Sequence, residues 1–129
     1  MLKNGILNPH LNSLISRVRH TNTLVIADRG FPFWPQIETV DISLTDDVPR
    51  VLEVLRALRA NFLIGRTFMA EEFKAANTPQ TVQDFRNALM DIPLAYEPHV
   101  EFKKRVPNAI GLIRTGDTIQ YANMILESA

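Results

Sequence analysis

Two residues that can donate, accept or hold a proton, His20 and Asp28, stand on either side of the apolar run Leu24–Ala27. Histidine titrates near neutral pH and is the side chain most often used as a general acid or base. Four apolar residues between polar neighbours are typical of a strand buried in a sheet, and open α/β sheets bind ligands where strands end and loops begin. The spacing therefore predicts that Asp28 lies at the edge of a binding site.

Both residues also have an ordinary structural interpretation. His20 follows a helical pattern, and histidines often cap the last turn of a helix. Asp28 begins the sequence Asp-Arg-Gly, which suits a tight turn. On the residues alone, a polar site and a pair of structural side chains are both open interpretations.

The loop that follows Asp28 is rich in aromatic residues, with Phe31, Phe33 and Trp34 between Gly30 and Pro35. We expect a loop of this composition to cover a pocket or another surface. Two further charged clusters have simpler interpretations. The pair Glu71-Glu72 predicts one buried partner and one solvated carboxylate, and the basic run at 103–105 predicts a solvated helix face.

The sequence contains no recognisable metal or nucleotide site. The three histidines are His10, His20 and His99, and none belongs to a His-Glu-x-x-His pattern. There is no Gly-rich phosphate loop, nucleophile elbow or dinucleotide fingerprint. The absence of cysteine excludes disulfides and thiolate catalysis. We therefore expect neither a metal nor a cofactor.

Charge and length limit the remaining function classes. Lys plus Arg and Asp plus Glu both number 14, so there is no basic excess to neutralise a nucleic-acid backbone, and we expect no nucleic-acid partner. No segment approaches the roughly 18 consecutive apolar residues of a membrane helix. The first residues lack a secretory pattern. The expectation is a soluble cytoplasmic protein with a single domain, residues 1–129.

Helical patterns begin after recognisable start signals. Asn8-Pro9 and Thr78-Pro79 each place a capping residue before a proline in the first turn. The polar cluster Thr45-Asp46-Asp47 is predicted to start a helix whose apolar stripe includes Val51 and Leu58. A short helix is predicted from His99, which puts His99 and Lys103 on one face.

Strand patterns alternate with these helices. Strands are predicted at 24–27, at 40–44 from alternating polar and apolar residues, near 62–69 with an interruption at Gly65, and at 94–96. Two further runs, 109–113 and 121–126, flank a turn signal at 115–117 and are predicted to pair as a hairpin. The order predicts a three-layer α/β/α domain with a mixed sheet.

Taken together, these segments resemble the D-ribose pyranase and L-fucose mutarotase family over essentially the whole chain. The matching motifs are Leu7-Asn8, Ile15-Ser16-Arg17, His20 to Val25, Asp28, Ala70 to Lys74, His99, Phe102-Lys103-Lys104, Ile113 to Gly116, and Tyr121 to Leu126. By this resemblance His20 is the catalytic histidine, and the residues that contact the sugar are Asp28, His99, Lys103, Tyr121 and Asn123.

The resemblance implies an isomerase that interconverts the ring forms or anomers of a monosaccharide. Ring opening of a hemiacetal moves the anomeric hydroxyl proton to a base while an acid protonates the ring oxygen. No C–H bond breaks, so the reaction requires no metal or hydride carrier. Proton transfer by a histidine is typically worth roughly 10² to 10⁴ in rate. The resemblance also implies a homo-oligomer, a decamer, whose sites are shared between neighbouring subunits.

The sugar is less clearly indicated. Ribose-type members resemble Asp-Ala-Gly-Leu-Pro after the first strand and fucose-type members Asp-Ala-His-Phe-Pro, whereas this chain has Asp28-Arg29-Gly30-Phe31-Pro32. Gly30 and Ala122 favour the ribose type, and Arg29 and the Phe33-Trp34 pair belong to neither branch. D-ribose is expected first and L-fucose second. A non-catalytic monosaccharide-binding protein accessory to sugar transport, or a purely structural subunit, is the alternative.

Overall fold

The structure, a computed structural model, describes residues 1–129 and consists of a six-stranded sheet with helices on both faces. The strands are β1 (Thr23–Ala27), β2 (Glu38–Asp41), β3 (Ile64–Ala70), β4 (Leu94–Glu97), β5 (Gly111–Arg114) and β6 (Met124–Ser128). The helices are α1 (Pro9–Ser16), α2 (Val51–Arg59), α3 (Glu71–Ala76), α4 (Pro79–Leu89) and α5 (His99–Arg105), and a 3₁₀ turn covers Val106–Asn108. No helix is both long enough and apolar enough to cross a membrane.

The sheet is mixed, with the strand order β2-β5-β1-β6-β3-β4. Strand β6 is antiparallel to both of its neighbours, β1 and β3, and the other pairings are parallel. The predicted three-layer α/β/α fold with a mixed sheet is confirmed. The predicted hairpin between the last two strands is wrong, because β1 lies between β5 and β6 and pairs with both.

The two faces of β1 belong to two different hydrophobic cores. Leu24 and Ile26 lie in the larger core, which α1, α2, α3 and α4 cover. Val25 and Ala27 lie in a smaller core, closed by α5, the 3₁₀ turn and Phe31. Since side chains alternate along a strand, a strand that is apolar at every position must be covered on both faces. This burial fixes the position of the residue that follows β1, Asp28.

The helix start signals were correct at two of three positions. The side chains of Asn8 and Thr78 cap α1 and α4 as predicted. The cluster Thr45-Asp46-Asp47 does not cap α2, which begins only at Val51. The Asp47 carboxylate instead accepts hydrogen bonds from Thr118, at 3.0 Å from its backbone N and 2.8 Å from its Oγ1.

Candidate functional site

A pocket of about 320 Å³ opens at the carboxyl end of β1. This volume is near the lower end of the roughly 300–1,000 Å³ that is typical of small-molecule sites. The residues that line it are Asp28, Gly30, Phe31, Pro32, His99, Gln120, Tyr121 and Asn123. Four of the six residues expected to act on a substrate thus meet in one place. A groove of similar size lies near Phe62 and Pro93, but it gathers none of these residues.

Asp28 is held by the turn that it begins. Its backbone N donates to Oδ1 of Asn123 at 2.7 Å, and its own Oδ1 accepts from the backbone N of Gly30 at 3.0 Å. Burial raises the pKa of the Asp28 carboxyl above its ordinary value, and hydrogen bonds from the backbone of Gly30 and Phe31, with the positive charge of Arg114, oppose that rise. The carboxyl is therefore partly desolvated and well supplied with donors, as suits a hydrogen-bond acceptor for a sugar hydroxyl.

His99 is the first residue of α5, and its backbone N donates to both carboxylate oxygens of Glu72, at 3.0 and 3.1 Å. Its ring lies 5.1 Å from the ring of Tyr121 and packs among Phe31 and Phe102. Burial lowers the pKa of His99 below its ordinary value, and the nearby charge of Lys103 lowers it further. The Nδ1 atom is buried and has no hydrogen-bond partner within the chain. Burial thus favours the neutral imidazole of His99, which can donate or accept a hydrogen bond.

Tyr121 and Asn123 come from the segment before β6. The sequence predicted a strand from Tyr121, but β6 begins at Met124. Tyr121 has a φ of 56°, a left-handed conformation that is uncommon for a residue with a side chain and is often found at functional sites. This conformation turns the chain before the strand and allows Tyr121 to face His99 while Asn123 reaches the backbone of Asp28.

His20 does not line the pocket. It is exposed, in the turn that leads into the amino end of β1, whereas Asp28 follows the carboxyl end. Five strand residues separate the two ends, which corresponds to roughly 17 Å at about 3.3 Å per residue. The turn itself is well fixed: Thr21, with a φ of 66°, donates its backbone N to the carbonyl of Ser128 at 3.1 Å. One chain alone therefore does not bring His20 to the pocket.

The unusual residues of the aromatic loop have separate locations. Phe31 lines the pocket, whereas Phe33 is 71% exposed and Trp34 packs against the smaller core. The Nη1 atom of Arg29 lies 2.8 Å from Oδ1 of Asp46, and Arg29 is not among the lining residues of the pocket. Lys103 also lies outside the lining, one helical turn after His99. The predicted covering role in the pocket thus belongs to Phe31.

Sequence reasoning missed three residues at this site: Glu72 as the partner of His99, Gln120 in the lining, and Arg114 behind Asp28. For Glu71-Glu72 the solvated residue is as predicted, since Glu71 is exposed and pairs with Lys74 at 3.0 Å, but its partner Glu72 is half-buried rather than buried. The structure assembles no group of three or more His, Asp or Glu side chains able to hold a metal ion.

Comparison with known proteins gives a match over the whole chain. The model of the RbsD / FucU transport protein family matches residues 1–129. The D-ribose pyranase of Geobacillus thermodenitrificans is 38% identical over 128 residues, which cover 99% of this chain and 96% of that protein. The D-ribose pyranase of Geobacillus kaustophilus is 39% identical over 128 residues, with 99% and 93% covered.

Solved structures agree with this match. The structure of Bacillus subtilis RbsD complexed with D-ribose superposes with a TM-score of 0.93 at 32% sequence identity, covering 100% of this chain and 98% of that one. The fucose mutarotase of Streptococcus pneumoniae in complex with L-fucose has the same fold, with a TM-score of 0.81 at 19% identity over 99% and 98% of the two chains. The chain belongs to the RbsD / FucU transport protein family.

Proposed function

We propose that this protein is an isomerase that interconverts the ring forms of a monosaccharide, with D-ribose as its preferred substrate. The observation that carries the proposal is the convergence of Asp28, His99, Tyr121 and Asn123 on one small pocket with an aromatic wall at Phe31. Neutral polyols bind through hydrogen bonds and through contact of an apolar ring face with aromatic side chains. The names of relatives at 38% and 39% identity, both D-ribose pyranases, support the same reaction.

The pocket supplies the binding groups, and His20 supplies the proton transfer. Opening the ring moves a proton from the anomeric hydroxyl to a base and another to the ring oxygen. Closing the ring on a different hydroxyl moves the proton of that hydroxyl to a base and another to the carbonyl oxygen, which gives the second ring form. Asp28, Tyr121 and Asn123 offer acceptors and donors to the sugar hydroxyls, and a neutral His99 can serve as either. Lys103, assigned to the sugar by resemblance, lies outside the lining of the pocket. No charge is left on the sugar at the end of the reaction, so the site requires no fixed counter-ion for a product.

A site of this kind is completed by a second copy of the chain. His20 is exposed on a turn at the opposite end of β1 from the pocket, so it is available to a neighbouring subunit but distant from its own pocket. We therefore propose a homo-oligomer, decameric by resemblance, in which His20 of one subunit enters the pocket of the next.

The surroundings of Gly30 and Arg29 favour D-ribose over L-fucose. A Cβ added at Gly30 would meet only Oδ1 of Asp28, at 3.8 Å, so this side of the pocket is open. Arg29 forms an exposed ion pair with Asp46 and lines a smaller depression that adjoins the pocket at Asp28 and Gly30. It does not line the pocket itself. The preference is expected to be modest, because one methyl-sized contact discriminates by roughly 1–3 kcal/mol.

NMR saturation transfer between the ring forms of D-ribose and L-fucose, at equal protein concentration, tests the proposal. We expect faster exchange for D-ribose with the wild type and a loss of roughly 10²- to 10⁴-fold for His20→Ala. His10→Ala, at the start of α1, is the matched control and should retain activity. Sugar binding without exchange would identify a non-catalytic sugar-binding protein, and wild-type exchange in a folded His20→Ala variant would remove His20 from the mechanism.

A further inference from the structure

Arg114, the last residue of β5, lies directly behind the pocket. It is only 9% exposed. Its Nη1 donates to the carbonyl of Asp28 at 2.9 Å and its Nη2 to the carbonyl of Pro32 at 3.2 Å. The planar guanidinium thus ties together the first and last residues of one turn, a geometry that a lysine ammonium does not reproduce.

This turn, residues 28–32, forms half of the pocket. Asp28, Gly30, Phe31 and Pro32 are four of the eight lining residues. Within the turn, the backbone of Gly30 and that of Phe31 donate to the Asp28 carboxylate, and the backbone N of Arg29 donates to the carbonyl of Asp117 at 3.0 Å. The end at Pro32 is held by Arg114, because proline has no N–H to donate and its carbonyl accepts from the guanidinium. Loss of Arg114 would release that end.

The guanidinium is also a buried charge without a paired carboxylate. No ion pair of the chain includes Arg114. A buried cation whose only hydrogen-bond partners are carbonyl groups costs free energy of folding. A contribution to stability is therefore a weak explanation for an arginine at this position. The charge does act on Asp28, where it favours the ionised carboxylate against the effect of burial. His99, from α5, is the other titratable group that couples electrostatically to Asp28, and burial lowers its pKa.

We propose that Arg114 is the positioning residue of this site: its guanidinium fixes the pocket turn at both ends and supplies the positive charge behind Asp28. The sugar-binding role of that pocket rests on the function proposed above. Arg114 itself does not line the pocket, so its effect on a sugar passes through Asp28 and the turn.

Two substitutions separate the two roles of Arg114, which are to fix the turn and to supply positive charge behind Asp28. Arg114→Met removes both the charge and the donors, and Arg114→Lys keeps the charge but loses the planar fork. Arg59→Met is the matched control, because Arg59 also donates to a backbone carbonyl, that of Ala88 at 2.7 Å, and lies outside the site. The readouts are the ¹³C NMR titration of the Asp28 carboxyl, which needs no substrate, and kcat and KM for D-ribose exchange.

We expect the pKa of Asp28 to rise in Arg114→Met and to stay close to that of the wild type in Arg114→Lys. We expect kcat/KM to fall roughly tenfold to a hundredfold in both variants, since small displacements of binding groups have effects of this size. Arg59→Met should change neither quantity.

An Asp28 titration in Arg114→Met that matches Arg59→Met would overturn the role of the charge. A kcat/KM for Arg114→Lys equal to that of the wild type would overturn the role of the fork. Should Arg114→Met fail to fold, Arg114→Lys alone still tests the fork, and a wild-type kcat/KM in that variant sinks the positioning role. If the wild type catalyses no exchange, the proposed function fails, but the titration still decides whether Arg114 acts on Asp28.

Discussion

Burial moves the pKa values of Asp28 and His99 in opposite directions, upward for the carboxyl and downward for the imidazole. In both cases the uncharged form gains, which is what desolvation predicts. A pocket of this kind is matched to a neutral ligand and uses hydrogen bonds more than ion pairs. The aromatic rings of Phe31 and Phe102 pack around the His99 ring, with centroid distances of 6.1 and 5.9 Å.

Lys103→Met should raise the pKa of His99. The charged groups that face this ring are Lys103 on its own helix, Glu72 on α3 and Asp28 at the end of β1. Only the lysine disfavours the protonated imidazole, so its removal leaves the two carboxylates to favour it. Protonation removes the hydrogen-bond acceptor on the His99 ring. In the wild type, activity should therefore fall as the pH drops below 6.5, the ordinary pKa of histidine. In the variant this fall should occur at higher pH.

The measurement is the NMR titration of the His99 ring, together with the pH profile of kcat/KM. Lys104→Met is the matched control, since Lys104 is exposed and paired with Glu101 at 2.8 Å. Identical His99 titrations in the two variants would show that Lys103 does not act on the imidazole.

The ends of several elements are held by side chains from distant parts of the chain. Asp117, which is 1% exposed, accepts from the backbone N of Val51 at 2.8 Å and so caps α2 from 66 residues away. Its other oxygen accepts from Ile119 N at 2.8 Å, and its carbonyl accepts from Arg29 N. One buried residue therefore joins α2, the turn after β1 and the segment that leads to Tyr121.

Asp117→Ala should destabilise the protein more than Asn8→Ala. The Asn8 side chain caps α1 by accepting from His10 N at 2.9 Å and Leu11 N at 3.0 Å, a more exposed arrangement whose loss typically costs about 0.5–2 kcal/mol. Removing the Asp117 carboxylate leaves the buried backbone N of Val51 without a partner, at about 1–3 kcal/mol. It also removes the acceptor of the part-buried backbone N of Ile119. Urea unfolding of the two variants measures the difference. Equal losses would mean that water replaces the Asp117 carboxylate.

In the molecule as a whole, the proposed catalytic residue and the binding pocket lie at opposite ends of the sheet. The turn before β1, which contains His20, lies beside the carboxyl end of β6. Asn123, which lies just before the amino end of β6, belongs to the pocket. The antiparallel strand β6 thus runs from one functional end to the other. Under the proposed function, an isolated subunit would bind the sugar but lack the histidine proposed to transfer its proton.

Mixing two inactive variants, His20→Ala and Asp28→Asn, should restore activity. If each site takes Asp28 from one subunit and His20 from its neighbour, random mixing in a closed ring leaves about a quarter of the sites intact. The mixture is refolded or co-expressed and assayed for D-ribose exchange against each variant alone. The control mixes His20→Ala with the variant that carries both His20→Ala and Asp28→Asn. It should stay inactive, because no subunit supplies His20. Failure of the first mixture in confirmed hybrid oligomers would place both residues in one subunit's site, and a monomer in native mass spectrometry would exclude the shared site.

The sequence alone determined the local structure and the residue types of the site. The resemblance to a family over the whole chain, and no local pattern, gave the site residues Asp28, His99, Tyr121 and Asn123. Apolar periods and the caps at Asn8 and Thr78 gave α1 and α4, and the continuous run 24–27 gave a strand buried in the sheet. These signals are short-range, because a period or a cap depends on residues within about one turn or a few strand positions.

Only the tertiary structure decided which elements are neighbours. The two last strands look like a hairpin in the sequence, yet β1 lies between them, because its two apolar faces need cover and its two edges need hydrogen-bond partners. The same long-range packing placed Arg114 behind Asp28, let Asp117 cap α2, and separated His20 from the pocket. Contacts between residues tens of positions apart depend on how whole elements bury their surfaces, and no local pattern in a single sequence encodes that choice.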